Sequence, residues 1–312
     1  MEIYRISPNS VINLNDITIC LGYFDALHLG HLTLINKSKN LGKKVGVLTM
    51  DPNPSSFFVK DVKEVNSLDD KIEILESIGV DYFIILETDK DVLNMSREDF
   101  VSKVLIPLGV KNVVCGFDYH FGKNKSGDTD FLSNYDEFDT YVCDEVIDDE
   151  EKISTTLIKK LLLEGNISRI NRLLTRPYRI KGKVIRGNSL GHTIGYPTAN
   201  ISLESNKIYP RTGVYSGYLI VDGNKYLSMI NIGTHPTVKE LNKPIVEVHV
   251  INQKLDLYYK EISLIFEDFI REEKKFSNIN ELINQLDKDK EYILGKENVN
   301  KKDYKRAYWK IN

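Results

Sequence analysis

Four short apolar runs, at residues 17–21, 45–50, 82–86 and 112–115, alternate with helix-like patterns at 32–40, 68–77 and 97–106. Runs so short and so uniformly apolar suit strands buried on both faces. Helices between them join such strands in parallel, so a doubly wound α/β sheet is expected for the first half. Ser67 and Ser96 stand where two of the helices should begin, and Ser96-Arg-Glu-Asp places acids in a first turn. In this architecture ligands gather at the carboxyl ends of the strands. His28, His31 and the loops after Met50 and Cys115 would then share one edge.

The character changes near residue 175. Patterns at 156–164 and 167–174 read as two closing helices. From Tyr178 onward come short β-rich runs at 178–186, 213–221, 226–233, 246–251 and 261–269, punctuated by glycine. Asp222-Gly223 between two of them is a hairpin signal. A small antiparallel barrel or sandwich is predicted, with an amphipathic helix at 279–292 packed against it. The expected division is 1–175 and 176–312.

The 312 residues suffice for two cores. A net charge of −3 lacks the basic excess of a dedicated nucleic-acid binder. Cys20, Cys115 and Cys143 are widely spaced in apolar stretches, which predicts buried free thiols in a reducing compartment. The start resembles no signal peptide and no apolar run approaches a membrane span. The expectation is a soluble cytoplasmic protein with neither nucleic-acid nor membrane partner; the oligomeric state stays open. The basic tail at 301–306 reads as a solvated terminus.

Two segments carry chemistry. Leu21-Gly-Tyr-Phe-Asp-Ala-Leu-His28-Leu-Gly-His31 falls at a strand-to-helix turn, where free N–H groups and the helix dipole suit phosphate. The histidines add donors that can follow charge developing on a triphosphate. On residues alone, a solvated helix-start pair is an equal reading. Gly187-Asn-Ser-Leu-Gly191-His-Thr-Ile-Gly195-Tyr-Pro-Thr198-Ala-Asn200 spaces glycines four apart before two hard oxygen donors of the kind Mg²⁺ accepts.

The first segment looks like that of the adenylyl- and cytidylyltransferase superfamily. The second resembles the signature of bacterial riboflavin kinases. Arg176-Pro-Tyr-Arg-Ile-Lys-Gly-Lys-Val, Gly213-Val-Tyr, Asn231-Ile-Gly-Thr-His-Pro-Thr237, Val246-Glu-Val-His249, Asp256-Leu-Tyr258 and Phe269-Ile-Arg-Glu-Glu-Lys-Lys-Phe276 follow in that family's order. The whole chain is similar to the bifunctional riboflavin kinase and FAD synthetase family of bacteria.

The resemblance implies an N-terminal nucleotidyltransferase domain making FAD from FMN, and a C-terminal kinase barrel making FMN from riboflavin. ATP is co-substrate in both, with Mg²⁺. It makes Glu247 the general base of the kinase and assigns metal and phosphate contacts to Thr198 and Asn200, with Gly182, Gly187, Gly191 and Gly195 as flaps. In the first half it implies that Gly22, Asp25, His28, His31, Ser154, Thr155 and Lys159 meet ATP, with His31 catalytic. Asn53, Asp118 and Arg271 are implied flavin contacts, although Arg271 could instead hold the closing helix.

Several positions depart from the family pattern. Ala26 stands for Gly, Asn53 for the His of Pro-His-Pro, and His120 and Leu157 for Arg; His192 is a further change, within a flap. Leu157 replaces an Arg expected to grip the ATP phosphates, while Lys159 keeps a positive charge two residues on. Such losses would weaken adenylyl transfer, and an Arg restored at 157 would raise it. The alternatives are a kinase with a catalytically degenerate N-terminal domain, and a flavin- or nucleotide-binding regulator.

Overall fold

The computed structural model describes residues 1–8, 10–186, 190–234 and 244–303. It contains two compact units. The first comprises Met1–Lys159, Leu173–Thr175 and Asn206–Ile208; the second comprises Lys160–Arg172, Arg176–Ser205 and Tyr209–Asn312.

The first unit is built on six parallel strands, β1 (Glu2–Ile6), β2 (Ile17–Leu21), β3 (Lys44–Asp51), β4 (Tyr82–Glu87), β5 (Val110–Gly116) and β6 (Asp139–Cys143), in the order β1-β4-β3-β2-β5-β6. Ile17, Ile19 and Leu21 feed one core, with Val101, Val104 and Leu105. Cys20 points to the opposite core, with Val47, Leu75 and Phe83. That is why β2 is buried at every residue. The order reverses at β2, which pairs with both β3 and β5. The loop leaving β2 therefore opens at a topological switch point, where α/β sheets bind ligands.

Ser67 caps the Leu68–Ser77 helix through a full capping box with Asp70. Ser96 caps Arg97–Phe100, which continues as a π-turn over Val101–Leu105 rather than as one uniform helix. The first helix starts at Leu29, earlier than its apolar pattern suggests, because His28 caps it. Edge strands β1 and β6 escape sequence reading, since neither carries a continuous apolar run. Cys20 and Cys115 are buried free thiols, each pushed up to about 12 by burial, whereas Cys143 is only half-buried.

A small hairpin, β7 (Ile147–Asp148) with β8 (Glu151–Lys152), ends the first unit's strands. The second unit is a closed antiparallel barrel of β9 (Arg179–Ile185), β10 (Ala199–Ile201), β11 (Gly213–Val221), β12 (Asn224–Thr234), β13 (Pro244–Val250) and β14 (Glu261–Arg271). The order round the barrel is β10-β13-β12-β11-β14-β9. The β11–β12 turn has Asp222 and Gly223 at φ 51° and 75°, the doubly left-handed turn that matches strand twist. The Ile279–Asp303 helix outruns its expected end and packs Leu286 and Ile293 on Tyr196, Val214 and Met229. The basic tail beyond it lies outside the described residues.

Candidate functional sites

In the first unit, the loop after β2 is held in an uncommon conformation. Phe24, Ala26 and Leu27 adopt φ of 55°, 67° and 47°, and all three are fully buried. Packing holds what local sterics disfavour, at about 1–2 kcal/mol per residue. A φ of 67° also explains why glycine suits position 26. Gly22 gives room to this fold-back, since a Cβ there would meet the Phe24 ring at 3.1 Å.

The loop delivers His28 to the helix start. Its Nδ1 accepts the His31 N–H at 3.4 Å. The two imidazoles stack at 3.8 Å between centroids, and Phe24 lies 5.0 Å from His31. A stacked imidazole pair thus stands at the positive end of an eleven-residue helix.

Asp25 is 3% exposed and its carboxylate is occupied. One oxygen accepts the N–H groups of Ala26 (2.9 Å), Val65 (2.9 Å) and Asn66 (3.1 Å). The other meets Lys159 Nζ at 3.2 Å. Asp25 therefore braces the loop and aims Lys159, which also donates to the Lys63 carbonyl at 2.6 Å. Thr155 Oγ1 donates to the Asp25 carbonyl at 3.1 Å, and Ser154 Oγ accepts the Leu157 N–H at 3.2 Å, capping that helix. Asp25, Thr155 and Lys159 form one group.

Leu157 does not belong to it. Its side chain is 5% exposed, in the core beside fully buried Ile158. On the same helix Lys159 is half-buried and already oriented by Asp25. Leu157→Arg is then expected to lower stability by about 3–5 kcal/mol, the scale for an uncompensated buried charge. A denaturant melt would measure it. An unchanged midpoint with faster FAD formation would support the phosphate role.

Asn53 accepts the Ser55 N–H and donates to Glu64 at 2.8 Å. Asp118 follows β5 and is exposed, paired with Lys152, whose ammonium lies 4.4 Å over the Phe117 ring. His120 is exposed, its Nδ1 2.9 Å from the Asp118 carbonyl. Sequence reading missed Lys71, 2% exposed, which donates to the Tyr23 carbonyl at 3.2 Å and sits 3.9 Å from that ring. Burial pulls its pKa down. Nothing in its helical pattern distinguishes it from a surface lysine.

In the second unit, strand register assembles the site. Asn200 on β10 is the partner of Glu247 on β13, which is in turn the partner of Asn231 on β12. Register partners share a face, so carboxamide, carboxylate and carboxamide form a row. Glu247 alternates with buried Val246 and Val248, which turns it away from the barrel core. It lines a cavity of about 410 Å³ together with Thr198, Asn231, Arg271, Glu273 and Phe276. A second cavity, of about 200 Å³, is lined by Pro197, Thr198, Val248, Val250 and Leu257. Thr198 borders both.

Arg271 is bound to Asp289 on the terminal helix, with Nε 2.9 Å and Nη2 2.7 Å from Oδ2. It anchors that helix while contributing to the cavity wall. Burial pushes the Glu273 carboxyl up, while Asn231 and Arg271 pull it down. Burial likewise lowers His249, whose Nδ1 lies 2.9 Å from the Pro197 carbonyl. That contact ties β13 to the segment carrying Thr198.

The glycines divide. At Gly191 a Cβ would meet the Tyr196 carbonyl oxygen at 2.1 Å, so the tight turn before Thr198 demands glycine. Gly195 has φ 82° and open space around it. Gly182 is not in a flap: it lies within β9, where a Cβ would meet the Ser202 carbonyl oxygen at 2.3 Å. Close strand packing accounts for it. Gly187 and residues 235–237 lie outside the described residues.

A parallel nucleotidyltransferase-type sheet in one unit and an oxygen-lined closed barrel in the other define a two-domain transferase class. The FAD synthetase family model matches residues 11–157, and the riboflavin kinase family model matches 174–295. Over 300 residues the chain is 35% identical to the bifunctional riboflavin kinase/FMN adenylyltransferase of Listeria monocytogenes, covering 93% of this chain and 96% of that one. The Bacillus subtilis protein of the same name is 34% identical, with coverages of 88% and 91%. The chain belongs to the bifunctional riboflavin kinase/FMN adenylyltransferase family. A Streptococcus pneumoniae crystal structure titled macrolide-efflux protein superposes with a TM-score of 0.88 at 27% identity, over 93% of this chain and 98% of that one. Among the described residues here, no helix is long and apolar enough to cross a membrane.

Proposed function

We propose that the barrel phosphorylates riboflavin to FMN and that the α/β unit adenylylates FMN to FAD, each with ATP. The functional boundary is proposed at 175/176, close to the start of the riboflavin kinase match at 174 and after the end of the FAD synthetase match at 157. The cytoplasm, where ATP is supplied, is the proposed location.

The observation that carries the kinase reading is the Asn200–Glu247–Asn231 row beside Thr198, which borders both cavities. The larger cavity takes the flavin and the smaller, more apolar one the adenine. Their shared border at Thr198 then brings the ribityl 5′-hydroxyl near the ATP γ-phosphate. Glu247 accepts the hydroxyl proton as the oxygen bonds to γ-phosphorus and the bond to the ADP oxygen breaks.

The donors fit a magnesium ion shared with phosphates: Thr198 and Asn200 offer neutral hard oxygens with a carboxylate adjacent. Among the described residues, no cluster of three His, Cys, Asp or Glu side chains could hold a metal alone. Bound there, Mg²⁺ would neutralise phosphate charge. Gly191 and Gly195 let the preceding backbone approach the nucleotide.

In the α/β unit an FMN phosphate oxygen attacks the α-phosphorus of ATP and pyrophosphate leaves. His28, His31 and Lys159 supply positive charge and donors to the triphosphate, with Lys159 aimed by Asp25. That retained cation favours an active second site over a degenerate one.

Incubation of the protein with riboflavin, ATP and Mg²⁺, followed by flavin chromatography, tests the reading. FMN and FAD together are expected. FMN alone would leave a kinase only, and neither product would leave a binding protein. Thr198→Ala is expected to reduce the kinase step about ten- to a hundredfold, the scale of one lost charge-assisted contact, and to leave FMN-to-FAD conversion unchanged. Equal loss of both in a folded variant would argue for one shared site.

A further inference from the structure

Residues 206–208 fall inside the stretch matched by the riboflavin kinase model, yet they belong to the first compact unit. There they pair with the 63–66 loop. The Glu64 N–H donates to the Asn206 carbonyl at 2.8 Å, and the Ile208 N–H donates to the Glu64 carbonyl at 2.8 Å. Between these two bonds Lys207 is 3% exposed, and its ammonium pairs with Asp70. Asp70 also accepts the Ser67 N–H at 3.1 Å, closing the cap of the Leu68–Ser77 helix.

The loop held in this way touches three residues of the proposed adenylyl site. The Lys63 carbonyl accepts from Lys159. Glu64 accepts from Asn53 at 2.8 Å and from the Tyr23 hydroxyl. The Val65 and Asn66 amides donate to Asp25. Apart from its single bridge to Lys207, the loop has little regular structure to hold it. Its backbone position is set by these contacts and by the 206–208 pairing.

We propose that Lys207 is a positioning residue for adenylyl transfer, acting through the 63–66 loop on Asp25, Asn53 and Lys159; this rests on the reading of the α/β unit as the FMN adenylylating site. The physical reason is that the Lys207–Asp70 pair is removed from water on both sides, with side-chain exposures of 1% and 6%. Without the ammonium, Asp70 must recover water or protonate, and either disturbs the segment joining the helix cap to the loop. A shift of about 1 Å in groups that orient reacting phosphates is enough to slow a reaction about a hundredfold.

The test is Lys207→Met in the full chain. FMN-to-FAD turnover is expected to fall about ten- to a hundredfold through kcat, with the KM for ATP moving less and riboflavin-to-FMN turnover unchanged. The Val65 and Asn66 amides should exchange hydrogen faster than in the wild type. A merely structural lysine would lower the melting temperature and both activities together, and that result overturns the proposal. So does unchanged FAD formation with unchanged amide exchange. If Lys207→Met does not fold, Lys207→Gln, which removes the charge and falls short of the lysine's reach to Asp70, is read by the same criteria. A wild type that makes FMN but no FAD would instead overturn the adenylylation reading itself.

Discussion

Replacing Glu247 by Gln is expected to lower riboflavin phosphorylation about 10²–10⁴-fold while riboflavin still binds, because the substitution keeps shape and removes basicity. The setting makes this a clean experiment. Glu247 sits between two carboxamides in its strand row, so Gln adds no new bulk and no unpaired charge. Val246 and Val248 keep the strand packed whatever occupies 247. The loss should appear in kcat, with riboflavin affinity measured separately by fluorescence quenching. FMN-to-FAD conversion supplied with FMN should be untouched. Glu273 is the control: it lines the same cavity, and burial disfavours its charged form. Wild-type turnover in Glu247→Gln would remove Glu247 from the mechanism, and collapse in Glu273→Gln would point to that carboxylate instead.

His31→Ala is expected to lower FAD formation from FMN about 10²–10³-fold, the scale for one lost donor to developing charge, and to spare the kinase. The helix cap uses the His31 backbone N–H and the His28 ring, so the Ala variant loses the imidazole and keeps the cap. His28→Ala removes the cap as well and should additionally cost about 0.5–2 kcal/mol of stability. Comparing the two variants at saturating ATP separates chemistry from folding. Unchanged FAD formation in His31→Ala would leave His28, Lys159 and the helix dipole as the whole of the triphosphate site.

Much of this was legible in sequence because both halves obey strong local rules. The β2 run and the helix after it mark a strand-to-helix turn, and Ser67 and Ser96 announce their helices by cap chemistry. Asp222-Gly223 specifies its hairpin through left-handed φ. The signatures around His28, Thr198 and Glu247 are contiguous in the chain. At position 157 residue type alone does not tell which face of the helix it occupies, and the leucine there is buried. Gly182 misled because a glycine needed by close strand packing looks the same as one needed in a phosphate flap.

The amino-acid sequence by itself determined the two-domain α/β-plus-barrel plan and the family. These are carried by periodicity, caps and ordered motifs, all of which act over a few residues. Only the tertiary structure decided which groups meet. Asn200, Glu247 and Asn231 are brought into one row by strand register. Asp25 proves to be a brace for Lys159, and Arg271 an anchor for the terminal helix. Lys207 reaches Asp70 across 137 positions of chain. The physical reason is that burial and pairing over such separations are set by sheet order and packing, which no local pattern records.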